Sequence, residues 1–255
     1  MKEKILYFDC LSGISGDMAI GALLDLGVDR DKFTGELNKL NLSGYTLSLE
    51  KGKKNGITGV DVKVLLDQLE NHHHQHENHH HRNLQAIEDL IEGSELNESV
   101  KTLSKKIFRE VAVAEAKVHD LGVEEVHFHE VGAIDSIVDI VGVSILIDML
   151  QPDCIFCSPL HVGTGFVKCE HGMIPVPAPA TLEILKGVPI YSMGIRSELV
   201  TPTGAAIVKV LATEFIPAPL MEIEKVGYGL GNKDLEITNT LRVILGKKKA
   251  ILSSW

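Results

Sequence analysis

Residues 126–148, VHFHEVGAIDSIVDIVGVSILID, constrain the fold more than any other stretch of the chain. Ile134, Ile137, Val138, Val141 and Ile145 recur at helical spacing, which predicts a helix buried along one stripe. Just before it, His127-Phe128-His129-Glu130 reads as extended chain, where residues two apart share a face, so His127 and His129 present two imidazoles side by side. Asp135 and Asp139 lie four apart, one above the other near the helix start. Two imidazoles and up to three carboxylates can therefore meet where a strand hands over to a buried helix. That donor set suits a borderline divalent metal such as nickel or zinc. The plainer alternative is that the macrodipole alone favours Asp in a first turn, with the histidines on a satisfied strand edge.

The other elements fall around this segment and predict an α/β fold, a mixed sheet with flanking helices. Ile5, Leu6, Tyr7 and Phe8 form a strand that ends at Asp9. The following turn, residues 9–18, is built from glycine and hydroxyl residues and opens a helix that stops near Gly27. Free N–H groups at a helix start favour an anion, so Ser12, Ser15 and Asp17 are candidates for a phosphate site, with Asp9 and Asp17 able to serve a metal. An ordinary turn capped by Ser15 or Asp17 is the rival reading. Residues 31–40 read as a short helix, and residues 45–50 and 58–65 alternate as an antiparallel strand pair. A long striped helix runs from the Asn97 cap to Gly122. Residues 198–206 repeat the strand, hydroxyl-rich turn and helix pattern, which adds Thr201 and Thr203 to the anion candidates. Two more strands are expected at residues 223–231 and 239–245. No linker divides the chain.

Composition bounds the function. With 255 residues and a net charge of −10, the chain lacks the basic surface that phosphate neutralisation on DNA or RNA needs. No apolar run is long enough to span a membrane, and residues 1–10 carry no signal-peptide core, so a cytoplasmic protein is expected. Four cysteines in a chain this long do not read as a disulfide framework; the irregular spacing of Cys154, Cys157 and Cys169 favours buried thiols over a zinc site. Residues 71–83, NHHHQHENHHHRN, hold seven of the twelve histidines: His72, His73, His74, His76, His79, His80 and His81. With no apolar residue, this insertion cannot join a core and is expected to be a disordered loop that collects nickel, zinc or copper. A loop of that kind suits capture better than chemistry, which needs rigid support. His161 and His171 sit beside glycines, each a candidate third nitrogen ligand or proton carrier.

The segments FDCLSGISGDMAIGALLDLG, the histidine tract, VHFHEVGAIDSIVDIVG, HVGTGFVKCEHGMIPVPAPAT and ELVTPTGAA, in this order, resemble the nickel-insertion protein family of the lactate racemase cofactor pathway. The likeness covers essentially the whole chain. It implies insertion of Ni2+ into pyridinium-3,5-bisthiocarboxylic acid mononucleotide, giving a nickel-pincer nucleotide held by metal–carbon and metal–sulfur bonds. It also implies consumption of CTP with Mg2+ or Mn2+, and lactate racemase apoprotein as a downstream partner. Members of that family are longer, and the C-terminal region associated with CTP is not part of this sequence. In some members the two parts are joined by ribosomal frameshifting. The expectation is that this chain is the unshifted product, with Lys247-Lys248-Lys249 encoded by a slippery run and residues 250–255 an out-of-frame end. Such a chain is expected to bind nickel without turning over by itself.

In this reading His127 and His129, with Asp135, Asp139 or Asp9, hold Ni2+; the turns after Ser12 and Thr201 grip the nucleotide phosphate; and His161, His171 or Glu130 takes the ring C–H proton. Two rivals stand beside it, a nickel store or metallochaperone without catalysis and a metal-dependent hydrolase.

Overall fold

The computed structural model describes residues 3–67, 82–126, 128, 134–169 and 172–249. His127, His129, Glu130, His171 and all seven histidines of the tract, His72 to His81, lie outside the described residues. Among the described residues the chain begins with β1 (Lys4–Asp9), α1 (Gly16–Asp25), α2 (Arg30–Asn38), β2 (Tyr45–Lys54) and β3 (Ile57–Leu66). The helices α3 (Leu84–Glu92), α4 (Glu98–His119) and α5 (Ile134–Leu150) follow. Next come β4 (Cys154–Cys157), β5 (Leu160–His161), β6 (Phe166–Cys169), β7 (Gly172–Pro175), α6 (Pro179–Ile184) and β8 (Ile190–Tyr191). Last are α7 (Pro202–Leu211), β9 (Glu214–Phe215), β10 (Met221–Leu230) and β11 (Thr240–Lys248).

Seven strands form one mixed sheet in the order β2-β3-β10-β11-β1-β4-β9. β1 lies inside it, antiparallel to β11 and parallel to β4. The expected mixed α/β architecture is therefore present. β2 and β3 pair antiparallel with Lys54 opposite Ile57, and the two-residue turn between them is Asn55-Gly56, both at positive φ. That turn chemistry matches the twist of a hairpin and fixes its register. Residues 198–200, expected as a strand, make only two isolated bridges, Ile14 to Val200 and Gly163 to Glu198. The long helix also ends earlier than its glycine suggested: Asp120 adopts the left-handed conformation, and its N–H closes the helix on the Ala116 carbonyl.

α5 differs from the single buried stripe that its periodicity suggested. Every residue from Ser136 to Leu146 is buried except Asp139. The reason is its position, since it touches α1, α2, α4, α7 and β3. A helix covered on all sides is apolar all round, and a polar residue within it stands out. α1 in turn lies across β10, β3 and β11, and α4 packs outside α5 against α6 and α7. The expectation of buried thiols holds for Cys157, whereas Cys154 is only half-buried. Residues three apart in a strand point to opposite faces, so Cys157 faces Cys10, with 3.7 Å between sulfurs, while Cys154 donates to Glu3. Cys10, Cys154 and Cys157 are free thiols.

Candidate functional site

Two turns that are far apart in sequence meet side by side. The N–H of Ile14 donates to the Leu199 carbonyl at 2.9 Å, and the N–H of Thr201 donates back to the Ile14 carbonyl at 3.1 Å. This short bridge brings the N-termini of α1 and α7 to one cavity of about 530 Å3. α5 contributes Asp135, Ser136 and Asp139 to its wall, β3 contributes Val62 to Leu65, and the turn after β10 contributes Gly231, Asn232 and Lys233. Of the residues singled out in the sequence, Ser15, Asp17, Asp135, Asp139, Thr201 and Thr203 line this cavity together.

The α1 end of the cavity is acidic, and it is already capped. The Asp17 N–H donates to the Asp139 carboxylate. The Met18 N–H donates to Asp17 Oδ1 at 2.8 Å, and the Ser15 hydroxyl donates to the same oxygen. Asn232 reaches Asp17 Oδ2 at 3.3 Å. Gly16 makes the arrangement possible: a Cβ there would stand 2.4 Å from Asp139 Oδ2. The N–H groups of Asp17 and Met18 are taken by the protein's own carboxylates, which makes this end of the cavity better suited to a cation than to a phosphate.

Asp139 is the anomaly in that wall. Its Oδ1 is sealed from solvent and, among the described residues, has no hydrogen-bond partner. Burial, then the charges of Asp17 and Asp135, hold its carboxyl well above the usual carboxylate range. Burial also pushes the Asp17 carboxyl up, against the pull of its hydrogen bonds from Ser15 and Met18. Asp135 accepts from the N–H of Ser136 at 2.9 Å, inside its own first turn. A cation entering beside these groups would displace a proton and gain an oxygen ligand with no competing donor.

The α7 end has the opposite character. Thr201 caps the helix by accepting from the Gly204 N–H at 3.1 Å. Pro202 has no N–H to offer, and Thr203 follows at the cavity wall. Glu198 lines the cavity nearby, but the capping group at this helix start is the neutral Thr201 hydroxyl, so it is the end better suited to an anion. The cavity is thus polarised, acidic at α1 and α5 and anion-favouring at α7.

Three predicted residues are elsewhere. Asp9, 7% exposed, is held by Arg242 through Nε at 2.9 Å and through the second guanidinium nitrogen; its charge is spent on a structural pair. Ser12 donates to the Thr238 carbonyl at 2.8 Å and ties the turn to the β10–β11 connection. His161 is 1% exposed and stacks on Tyr191 with ring centroids 5.0 Å apart. Its Nδ1 is 2.9 Å from the Leu11 carbonyl and its Nε2 accepts from the Met193 N–H at 3.0 Å. That pattern requires the neutral tautomer with the proton on Nδ1, leaving no lone pair for a metal or for a substrate proton. His161 pins two loops instead. Sequence reasoning missed Lys63, Glu198, Asn232, Lys233 and Asn239, which also line the cavity. The only local signal was the glycine turn at the end of β10.

Among the described residues, no group of three or more His, Cys, Asp or Glu side chains is arranged as a metal centre, and no helix is long and apolar enough to cross a membrane.

The family model described as nickel insertion protein matches residues 6–254. The pyridinium-3,5-bisthiocarboxylic acid mononucleotide nickel insertion protein of Acetivibrio thermocellus is 54% identical over 248 residues, covering 96% of this chain and 61% of that protein. The protein of the same name from Clostridium kluyveri is 53% identical over 250 residues, covering 96% of this chain and 63% of its own length. The putative nickel insertion protein of Dictyoglomus thermophilum is 49% identical over 244 residues, 96% of this chain and 61% of that protein. The chain spans about three fifths of the length of these curated relatives. No solved structure gives a significant match.

Proposed function

This chain belongs to the nickel insertion protein family, and on that premise we propose that it takes part in inserting Ni2+ into pyridinium-3,5-bisthiocarboxylic acid mononucleotide, with the cavity between α1, α5 and α7 as the nucleotide site. The observation that supports this is the polarity of that cavity. A mononucleotide of this kind carries a cationic ring at one end and a phosphate at the other. The acidic wall of Asp17, Asp135 and Asp139 suits the ring and the incoming metal, and the α7 start with Thr201 and Thr203 suits the phosphate.

Nickel here is a substrate. His127 and His129 supply exchangeable nitrogen donors, with Asp135 and Asp139 as oxygen donors, and the tract from His72 to His81 raises the local supply of the ion. As the nickel–carbon bond forms, the ring C–H bond breaks and its proton must pass to a base. Glu130 and His171 are the candidates, since both nitrogens of His161 are engaged. We assign CTP consumption, with Mg2+ or Mn2+, to the part of the longer relatives that this chain does not span. The product is a cofactor for lactate racemase apoprotein, and substrates of this class place the reaction in the cytoplasm.

The test is to titrate the full chain with the nucleotide, with and without Ni2+, and to assay the nickel-pincer product with CTP and the remaining family region supplied in trans. Alanine at His127, His129 or Asp139 should abolish product. Deleting residues 72–81 should only raise the nickel concentration required. A chain that binds nickel yet never binds the nucleotide would be a store or metallochaperone, and the proposal would fall.

A further inference from the structure

We infer that Lys233 reads an anionic arm of the pyridinium ring and so decides which mononucleotide the cavity accepts. The inference rests on the nucleotide reading above and adds to it a residue that no sequence motif marked. Lys233 stands in the turn between β10 and β11, at the cavity wall. A lysine in such a turn is ordinarily a mobile, solvated charge. This one is held at both ends. Its backbone carbonyl accepts from Asn239 Nδ2 at 3.0 Å and from Lys54 Nζ at 2.8 Å. Asn239 is itself 7% exposed and is packed against Gly231, so the turn has a buried anchor. At the other end the ammonium donates to the Glu198 backbone carbonyl at 2.9 Å, which fixes it at the cavity wall beside the loop that leads into α7.

The partner is the telling detail. A backbone carbonyl orients an ammonium without cancelling its charge, and two of the ammonium's three N–H groups stay available. The other lysine at the wall, Lys63, is neutralised by Asp61 at 2.8 Å. Lys233 therefore presents a held positive charge to a cavity that Asp17, Asp135 and Asp139 also line. The ring named in the relatives bears two thiocarboxylates. Each has a hard oxygen and a soft sulfur. A hard ammonium takes the oxygen and leaves the sulfur for the softer metal. Lys233 in this role both selects a ring with an anionic arm and turns that arm so its sulfur faces the acidic wall.

The experiment uses the full chain and two commercially simple probes, nicotinic acid mononucleotide, with one ring carboxylate, and nicotinamide mononucleotide, with an uncharged amide in its place. Both carry the same ribose, phosphate and cationic ring. Calorimetry at low salt should give the wild type an affinity about fivefold higher for the acid, the size expected of one partly exposed charge pair. Lys233→Gln should erase that preference while leaving the amide's affinity unchanged, which also reports that the variant is folded. Lys233→Arg should restore it, and added salt should shrink it. If the wild type binds neither probe, the nucleotide reading of the cavity fails. If it binds both and the preference is absent, or survives in Lys233→Gln, the role of Lys233 fails while the cavity stands. Equal weakening of both probes in Lys233→Gln would place the ammonium on the phosphate and also overturn the inference.

Discussion

Replacing Gly229 by alanine would drive a methyl group into the backbone of α1. Gly229 lies on β10 beneath that helix, and a Cβ there would stand 1.9 Å from the Met18 carbonyl oxygen and 2.7 Å from the Ala22 nitrogen. Ordinary contact begins near 3.4 Å, so the helix would have to lift by the difference, 3.4 minus 1.9, or 1.5 Å. Both neighbours are main-chain atoms of α1, and no rotamer change can relieve them. Gly227 is equally tight, 2.1 Å from the Ala22 carbonyl, so the strand cannot slide to escape. Overpacking of this kind costs about 1–3 kcal/mol, and a backbone clash belongs at the top of that range. At roughly 2–4 °C per kcal/mol for a chain of this size, the melting temperature should fall by about 6–12 °C. The same lift displaces Gly16 and Asp17 from Asp139, and a misplacement of about 1 Å can cost a site on the order of 100-fold, so nucleotide binding should weaken along with stability. Gly35→Ala is the matched control. Nothing lies within 4 Å of that position in α2, and alanine there should stabilise by about 0.5–1 kcal/mol. Urea and thermal melts of both variants decide the matter. A Gly229→Ala protein that melts with the wild type would mean that α1 does not rest on β10 as described.

Three further outcomes can be checked. Asp139→Asn should stabilise the chain at neutral pH: the folded-state pKa is raised, so the folded chain holds a proton that the unfolded chain releases, and stability declines as pH rises through that window. The gain should vanish below the ordinary carboxylate range, while nickel binding weakens; a less stable variant at neutral pH would show that the charge is compensated. His161→Phe keeps the stack on Tyr191 but strands the Leu11 carbonyl and the Met193 N–H, at about 1–3 kcal/mol for each group left unpaired. Lost insertion activity with unchanged melting would instead make His161 the base. Arg242→Met leaves the Asp9 charge uncompensated and should cost about 2 kcal/mol, less than a wholly buried pair because the Arg242 side chain is 42% exposed. Nickel affinity by calorimetry should not change, and a change would return Asp9 to the metal site.

The elements were legible in the sequence because hydrophobic period, caps and turn residues are local. The β2–β3 hairpin could be read from its alternation, α4 from its stripe, and the turns before α1 and α7 from their glycines and hydroxyls. The same reading brought Asp135, Asp139, Thr201 and Thr203 into consideration, because residue type and spacing on a helix limit what a side chain can do. What no window could reveal is which turn meets which. The pairing of Ile14 with Leu199 and Thr201 depends on the fold that seats β1 between β11 and β4, and only that meeting makes one cavity of two unrelated loops. Partnering is likewise a tertiary fact. Asp9 and Asp139 look alike in sequence, yet one is answered by Arg242 and the other keeps an oxygen with no donor among the described residues. His161 and Lys233 exchange their apparent importance for the same reason. A side chain's chemistry is set by what occupies its lone pairs and cancels its charge, and those neighbours arrive from other strands and loops, for Asp9 from 233 residues away.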